Sequence, residues 1–444
     1  QFYMFDAIFY FYLKTNNQKY LIPVEKLLSN ISSKGVYDQL AGGIARYAVD
    51  EEWVVPHFEK MLYDNIQYIS LLTKFYQKTK KEYFKKKLIQ TINFINKEFK
   101  NEENLYGSAY DADSEGIEGK YYVWSYEELK KLLGDDFTLF EKKYEISDTG
   151  NFEGKNILVE TKNELNEEEQ NKIANIEGKL IQERGKRIKP FFDDKSQTDL
   201  NAFILDALIS SSIVLEDNNL KNEAINTLEI LNNKLSNKIY HCYDSSEIDA
   251  FLEDYVYYAM LLVTLYEVNG DERSLEKAIT IMKEVWEIFY NKDTQLLQKN
   301  KTKDNDLFVS PIDLNDSNIP NGNSVYLNLC NKIYTITNDK FWFDKVEILK
   351  KSFHQVLNSF FSQMFSFIKT LDLCENSISF TFFGNQDSIK DIKINVQKNY
   401  LGRATFIYKN NTEKEASVVI CKNQTCSEKL KNLNEVKNYL ENKI

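Results

Sequence analysis

The residues most capable of chemistry are concentrated in one stretch, from Gly42 to Asn65. It holds His57, one of only three histidines in the 444-residue chain, among charged and aromatic side chains. Histidine titrates near neutral pH, and neighbouring carboxylates, lysines and tyrosines can assist proton transfer. The stretch is therefore predicted to bind a ligand, with His57 as a catalytic residue. The ligand-binding candidates here are Arg46, Tyr47, Trp53, Glu59, Lys60, Tyr63, Asp64 and Asn65.

Pro56 is predicted to open a helix over 57–78, because proline lacks an N–H and suits the first helical turn. On such a helix His57 and Asp64 share one margin, whereas Glu59 lies near the opposite side. Glu59 is therefore expected to be a poor direct partner for His57. The alternative interpretation is structural, with His57 capping the helix and satisfying carbonyl groups of the core.

A second chemically capable stretch, Tyr110 to Ser125, combines carboxylates with aromatic rings. Two carboxylates in unequal environments are what general acid–base chemistry needs, and glycoside hydrolysis uses such a pair. Aromatic rings beside them suit the apolar face of a sugar. The alternative is a turn and hairpin whose aspartates accept local N–H bonds. The candidates from this stretch are Asp113 and Glu115 as catalytic residues and Tyr110, Asp111 and Trp124 as ligand-binding residues.

Polar residues also mark the beginnings of later helices. Glu253 and Asp254 interrupt an otherwise apolar helix, and a buried carboxylate is costly unless it is hydrogen-bonded or faces a cavity. Asp254 is therefore predicted as a further catalytic residue. His241 and His354 lie outside all of these clusters. The remaining ligand-binding candidates, some of which could instead cap helices, are Asp194, Lys195, Asn201, Asn321 and Asn323.

The composition and the motifs limit the classes of partner and cofactor that the protein is expected to bind. A net charge of −11, with both signs interspersed, argues against nucleic acid as the main partner. No apolar run reaches the roughly 18 residues of a membrane span, and no signal peptide is recognisable, so a cytoplasmic protein without membrane contact is expected. Five cysteines are too few for a disulfide scaffold, and Cys421 and Cys426 are expected to be reduced thiols. The chain lacks phosphate-loop, dinucleotide and HExxH motifs, so no cofactor and no metal are expected.

From Phe2 to about Phe365 the apolar residues recur with a helical period. The predicted helices form pairs joined by short links, which indicates antiparallel αα-hairpins. Six hairpins predict a mainly α fold, a closed (α/α)6 toroid, whereas an open solenoid would show a shared sequence period. The expected domains are the toroid over 1–373 and a small C-terminal α/β region over 374–444. The predicted helices are 3–14, 20–34, 57–78, 82–99, 126–133, 165–184, 197–216, 219–236, 250–268, 272–290, 322–337 and 340–364.

Several stretches, in the same order, resemble the family of spermatogenesis-associated protein 20 and its bacterial relatives. The matching pieces are VYDQLAGGIARYAVDEEWVVPHFEKMLYDN, YDADSEGIEGKYYVW, GNFEGKNIL, DDK, FLEDY and IPNGNSV. The resemblance implies an (α/α)6 toroid related to six-hairpin glycosidases and to N-acylglucosamine 2-epimerase. It also implies a thioredoxin-like domain as partner on the full-length protein. That domain is missing from the N-terminus here, so a redox role that rests on it cannot be assigned to this chain.

Two departures from the family pattern bear on mechanism. Where relatives have GGGFHRYS this chain has AGGIARYA, so Ala45 replaces the histidine before Arg46. Where relatives have WNGL after the DDK turn, Leu200 to Phe203 keeps only the asparagine, Asn201. The first loop therefore cannot supply a histidine pair, which weakens a histidine-based epimerase mechanism and favours carboxylate chemistry.

Two functions are expected from these patterns. The first is a carbohydrate-active enzyme, a glycoside hydrolase or a sugar isomerase or epimerase, that binds a small sugar-like ligand at the mouth of the toroid and uses carboxylate acid–base chemistry. The second is a non-catalytic module that binds a ligand or a protein and works beside a thioredoxin-like domain. Fold alone does not decide between them.

Overall fold

The computed structural model describes residues 1–236, 238–242, 248–301, 311–409, 416–423 and 425–443. Its contacts divide the chain into a first unit (Gln1–Asn16, Thr73–Thr79 and Ser196–Ile444) and a second unit (Asn17–Leu72 and Lys80–Lys195). The α-helices of the described residues are α1 (Phe2–Thr15), α2 (Gln18–Ser33), α3 (Leu62–Thr79), α4 (Glu82–Glu98), α5 (Tyr126–Leu133), α6 (Phe137–Lys143), α7 (Glu167–Arg184), α8 (Thr198–Leu215), α9 (Asn218–Lys234), α10 (Leu252–Asn269), α11 (Glu272–Phe289), α12 (Gly322–Thr337), α13 (Lys340–Phe360), α14 (Phe365–Glu375), α15 (Lys390–Tyr400) and α16 (Leu433–Lys443).

Short strands accompany these helices. Every helix predicted from the periodicity is present, whereas α6 and α14 were not predicted. The strands are β1 (Tyr47–Ala48), β2 (Pro56–His57), β3 (Lys60–Met61), β4 (Ala109–Tyr110), β5 (Asp113–Ser114), β6 (Ile117–Glu118), β7 (Phe192–Asp193), β8 (Tyr240–Cys242), β9 (Ile248–Asp249), β10 (Tyr290–Asn291), β11 (Leu296–Leu297), β12 (Ile378–Phe383), β13 (Thr405–Lys409), β14 (Ser417–Lys422) and β15 (Thr425–Cys426).

The predicted helix start at Pro56 is wrong, because α3 begins only at Leu62. The preceding residues are extended: β2 pairs with β1, and β3 lies beside β4, which in turn pairs with β7. Burial alternates from Pro56 to Met61, which is the period of a strand and not of a helix. Successive side chains of a strand point to opposite faces, so His57 and Glu59 share a face. The expectation that Glu59 points away from His57 is therefore also wrong.

The first unit is built on helical hairpins. α8 packs against α9, α10 against α11 and α12 against α13, while α10 also packs against both α8 and α12. α10 is apolar and buried on nearly every face, as expected of an inner helix. α11 instead buries one stripe that includes Leu275, Ala278 and Met282. These packed helix ends position the polar residues described below.

One helix, α8, corrects the expectation that no segment is long and apolar enough for a membrane span. Thr198–Leu215 reaches 18 residues with a mean hydropathy of 1.4. Its 18-residue window is 78% buried inside the fold, however, which is how the core helix of a globular unit behaves. Asp199 and Asp206 also lie on this helix.

The C-terminal part of the first unit has the predicted α/β character. Its sheet has the order β13–β12–β14–β15, with β12 parallel to β13 and antiparallel to β14. α15 connects the parallel pair. The buried Gln397 on α15 donates hydrogen bonds to the carbonyl groups of Glu267 and Val268 on α10. The sheet is thus tied to the helices of the same unit, and the domain boundary at 373/374 stays a prediction.

The two close cysteines correct another expectation. Cys421 and Cys426 are joined by a disulfide, and not free thiols. They are directly opposite each other on β14 and β15, and such cross-strand partners are close enough for a bond. The linear spacing does not show this pairing, because it depends on where the hairpin turns.

Candidate functional site

His57 lies in a polar cluster on the second unit, here called the His57 cluster: Arg46, Tyr47, His57, Glu59 and Glu118. His57 Nδ1 is 2.8 Å from Glu118 Oε1, and His57 Nε2 is 3.9 Å from Glu59 Oε2. Arg46 donates to Glu59 at 2.9 Å, and the Tyr47 ring stacks on the imidazole at 4.9 Å. Four predicted residues thus come together, with Glu118 as an unpredicted partner. Because these ion pairs are partly exposed, they contribute little to stability.

Lys60 belongs to a buried ion cluster instead. Asp38 accepts two parallel hydrogen bonds from Arg184, both at 2.9 Å, and a third from Lys60 Nζ at 2.9 Å. Lys60 also donates to the carbonyl of Gly42 and lies over the Phe94 ring. A lysine engaged in this way supports the loop after α2, so its predicted ligand-binding role has a structural alternative.

Asn65 and Asp64 are adjacent on α3, but their side chains differ in hydrogen bonding. The Asn65 amide accepts from the Ile44 N–H at 2.8 Å and donates to the carbonyls of Ile44 and Met61 at 3.1 and 2.9 Å, so it fastens the loop to the helix. Asp64 is buried, and its Oδ2 has no hydrogen-bond partner among the described residues. Burial raises the pKa of Asp64 to about 7. Asp64 is thus a further member of this stretch that could exchange a proton near neutral pH.

We expect Asp64→Asn to stabilise the protein at alkaline pH and to have little effect at acid pH. The folded pKa of Asp64 is about 7, above its ordinary value of 3.8, so the folded state keeps a proton that the unfolded chain releases. The stability that this proton contributes is complete below about pH 4 and is lost as the pH rises through 7. Asparagine does not ionise, so the variant should gain roughly 3–4 kcal/mol at pH 8 relative to pH 4.

Urea unfolding at pH 4 and pH 8 measures the Asp64 effect. Asp148→Asn changes an exposed carboxylate of the same unit and serves as the matched control. An equal effect of Asp64→Asn at both pH values would contradict the expected linkage.

The Tyr110–Ser125 stretch forms the hairpin that was the structural alternative. Asp113 and Glu115 lie on exposed positions of the β5–β6 hairpin, where Glu115 pairs with Lys120 at 2.7 Å. Asp111 Oδ1 accepts from the Asp113 N–H at 3.3 Å, as in a local turn. Both carboxylates are exposed to solvent, so their environments are similar and do not separate an acid from a base. Their catalytic role stays a prediction that this geometry does not favour.

Tyr63 interacts with Arg46 of the His57 cluster, whereas five other predicted residues of the second unit are dispersed. The Tyr110 hydroxyl donates to the carbonyl of Glu98 at 2.8 Å. Trp124 is fully buried beneath the guanidinium of Arg187, 4.0 Å from its ring. Asp194 and Lys195 are exposed, and Trp53 lies in a turn with a positive φ of 61°. None of these five lies among the residues of the His57 cluster.

The first unit contains the arrangement with most chemical potential, here called the Asp199 cluster: Asp199, His241 and Asp254. His241 Nδ1 is 3.0 Å from Asp254 Oδ2 and 3.1 Å from Oδ1. Asp254 also accepts the N–H of Phe251 at 2.8 Å and the N–H of Asp199 at 3.1 Å. One ligand atom from each member of the cluster lies within 4.8 Å of the other two.

Two members of the Asp199 cluster lie at the N-terminal ends of helices. Asp254 is in the first turn of α10, where free N–H groups favour a carboxylate. Asp199 is in the first turn of α8, which packs beside α10. β8 carries His241, and the Thr198 hydroxyl anchors it through the carbonyl of Tyr240 at 2.6 Å. The three groups meet because two neighbouring helices begin at the same level.

The environment of the Asp199 cluster shifts the pKa values of two of its members, Asp199 and His241. Burial, and then the charge of Asp254, raise the pKa of Asp199 above its ordinary value. Burial opposes the charged form of His241, but its hydrogen bond to Asp254 and the negative charges of both aspartates raise its pKa. Asp254 is fully buried and accepts the backbone N–H groups of Asp199 and Phe251 in addition to its contact with the His241 ring. The cluster can thus hold and exchange protons near neutral pH.

Two carboxylates and an imidazole could also bind a divalent cation. Both Asp254 oxygens, however, already accept backbone N–H groups, which reduces their capacity as metal ligands. The expectation of no metal and no cofactor stays a prediction.

Three predicted asparagines of the first unit form hydrogen bonds with backbone groups. Asn201 donates to the carbonyl of Gln197 at 2.9 Å. Asn321 caps α12 by accepting the Ser324 N–H at 2.9 Å, and its amide donates to Asp316 at 3.0 Å. Asn323 accepts from and donates to the backbone of Leu297. These bonds match the capping alternative and leave ligand binding by these residues as a prediction.

Sequence reasoning identified Asp254 but missed Asp199 and His241. His241 precedes Asp254 by 13 positions. Asp199 is 55 positions away and comes close only through helix packing. The available signal was Asp199 at the start of an apolar helix, where it suggested no more than a favourable helix terminus.

A solved structure with a similar fold shows the structural class of this protein. The fold is the mainly α, (α/α)6 toroid fold, as predicted: the structure is similar to cellobiose 2-epimerase from Bacillus thermoamylovorans B4167, with a TM-score of 0.50 and 14% sequence identity over 79% of this chain and 74% of that one. No protein-family model matches the chain.

The chain is a homologue of spermatogenesis-associated protein 20, as the motifs predicted. It is 23% identical to the human protein over 90% of this chain and 60% of that protein. It is also 26% identical to an uncharacterized protein of Caenorhabditis elegans over 71% of this chain and 49% of that protein. The chain therefore spans about half to three-fifths of the length of these relatives.

Proposed function

We propose that the protein binds a sugar-like ligand at the Asp199 cluster and moves a proton on it by general acid–base chemistry. The observation that carries the proposal is the unequal pair Asp199 and Asp254 close to one histidine, His241. Asp254 is enclosed and fully hydrogen-bonded, whereas Asp199 has a raised pKa. Pairs of titratable groups whose environments differ in this way are typical of acid and base assignments.

Each residue has a distinct role in this proposal. Asp254 orients the imidazole through Nδ1 and so leaves Nε2 as the general base. Gln197 Nε2 lies 3.1 Å from that nitrogen and orients the ring in the free protein, and a ligand displaces this amide when Nε2 takes a proton. Asp199, protonated because its pKa is raised, is the general acid. His241 is 17% exposed in its side chain, so a ligand approaches the cluster through the imidazole edge.

The geometry favours isomerisation or epimerisation over glycoside hydrolysis. Removing a proton from one carbon and returning one requires a base and an acid close together, which this cluster offers. Hydrolysis with retention requires a carboxylate nucleophile that contacts the sugar, and Asp254 has no exposed surface. The similarity to a cellobiose 2-epimerase supports a sugar as the ligand.

Deuterium exchange tests the proposal without knowledge of the product. The protein is incubated in D2O with a panel of aldoses, ketoses and reducing disaccharides, and C–H to C–D exchange is followed by NMR. We expect exchange on at least one sugar, reduced about 100-fold or more by Asp199→Asn because that variant has no acidic proton to give.

Asp293→Asn alters an exposed carboxylate of the same unit and should leave the exchange rate unchanged. Exchange that persists undiminished in Asp199→Asn would overturn the assignment of the acid. Sugar binding without any exchange would overturn catalysis and favour the non-catalytic binding module.

A further inference from the structure

The second unit contains a cavity that the proposed function does not use. Its volume is about 330 Å³, and its walls come from α4, α7, the loop after α2 and the Tyr110–Tyr122 segment. Cavities of about 300 Å³ and above are typical of small-molecule sites. None of the members of the Asp199 cluster lines this cavity, so its occupant is a separate question.

Aromatic rings form much of its wall: Phe94, Tyr110, Tyr121 and Tyr122. Tyr110 is stacked on Phe192 at 4.7 Å, and its hydroxyl is already bonded to the carbonyl of Glu98. Its ring is therefore held rigidly. Rigid aromatic walls suit a flat or ring-shaped ligand, because they bury apolar surface without losing conformational freedom.

Hydrogen-bond donors at the cavity lack protein acceptors. The hydroxyls of Tyr121 and Tyr122 bond to no residue in the described part of the chain. By contrast, the Tyr68 hydroxyl bonds to Ser32 and the Tyr106 hydroxyl to Asn96. Both tyrosines are half-buried and line the cavity, so their hydroxyl donors are available to an acceptor on a ligand.

Arg184 adds a cationic donor. It is 4% exposed and lines the cavity. Its guanidinium has five N–H groups, and the bonds to Asp38 use two of them. The remaining N–H groups have no acceptor among the residues that the structure describes. A guanidinium with free donors in a buried position is suited to a carboxylate.

The charge of the lining agrees with an anionic ligand. Arg184, Lys97 and Lys189 line the cavity together with only two carboxylates, those of Asp38 and Glu98. Lys189 is paired with Glu98 at 2.6 Å, and Asp38 is shared with the adjacent Lys60. Positive charge therefore remains in excess at the wall, and it would attract an anion.

We propose that this cavity, lined by Tyr110, Tyr121, Tyr122 and Arg184, binds a small ring compound that carries one carboxylate. The carboxylate accepts hydrogen bonds from the free guanidinium N–H groups and the tyrosine hydroxyls, and the ring lies against the aromatic wall. An aromatic acid and a sugar acid share this chemistry, so the experiment includes one probe of each kind.

Calorimetric titration of the full chain tests the proposal with benzoate and D-glucuronate, against their uncharged counterparts benzyl alcohol and D-glucose. We expect at least one carboxylate to bind and its neutral counterpart to bind about tenfold more weakly or worse. Preference for benzoate would identify an aromatic acid, and preference for D-glucuronate a sugar acid. No binding of either carboxylate up to about 10 mM would overturn the proposal.

Variants that each lack one tyrosine hydroxyl test whether the carboxylate binds in this cavity. Tyr121→Phe and Tyr122→Phe should each weaken the bound carboxylate about tenfold, because each removes a donor without removing a protein contact. Tyr126→Phe deletes a hydroxyl of the same unit outside the cavity and is the matched control. Binding that is equally strong in all three variants would place the ligand elsewhere and contradict the assignment.

Discussion

Replacing His241 with glutamine is expected to lower proton exchange on the sugar by about 10²- to 10⁴-fold, the usual contribution of a positioned general base. Glutamine keeps a polar side chain of similar reach beside Asp254 but cannot accept a proton from carbon. Since His241 is partly exposed, the fold should tolerate the change. The measurement is the rate of deuterium incorporation at saturating sugar, with binding measured separately.

The pH profile of His241→Gln distinguishes a chemical role from a structural one. In the wild-type protein, exchange should fall at low pH as His241 is protonated, and fall at high pH as Asp199 loses its proton, because both pKa values are raised. The variant should lose the acidic limb of this bell-shaped profile. His354→Gln changes an exposed histidine on α13 and should retain both rate and profile. Retention of the full profile in His241→Gln would contradict the assigned base.

Replacing Asp38 with asparagine is expected to destabilise the protein by about 3–5 kcal/mol, since removing one partner leaves buried charges uncompensated. Arg184 and Lys60 are 4% and 3% exposed and share this single carboxylate. Burial by itself would raise the pKa of Asp38, but the charges of Arg184 and Lys60 lower it well below its ordinary value. The measurement is urea unfolding at pH 7.

Two further comparisons make the Asp38 result specific. Because the folded pKa of Asp38 is depressed, its stabilisation is present above about pH 4 and is lost as the pH falls below that value. Adding Lys60→Met to Asp38→Asn removes one stranded cation and should recover part of the loss. Lys186→Gln breaks an exposed pair with Glu183 and should change stability little. An Asp38→Asn variant as stable as Lys186→Gln would show that the ion cluster does not hold the loop.

Disulfide formation illustrates how local and tertiary information differ. β14 (Ser417–Lys422) contains the β-branched residues Val418, Val419 and Ile420, which favour a strand locally. The pairing of Cys421 with Cys426 depends on the register of β14 and β15, which a spacing rule for metal or redox motifs does not contain. The thiol expectation failed for that reason.

The amino-acid sequence by itself determined most of the helices of this protein and the hairpins α8–α9, α10–α11 and α12–α13, because a 3.6-residue apolar period and short polar links are local properties. It also determined the homology to spermatogenesis-associated protein 20 through ordered motifs, and it singled out Asp254 as a carboxylate in an apolar helix. Tertiary structure alone decided which groups Asp254 meets. Asp199 and His241 approach it because α8 and α10 begin side by side, and helix packing is a property of whole faces, not of residue spacing. The same cause turned Pro56–Met61 into strands, since pairing with β1 and β4 outweighed the local preference for a helical first turn.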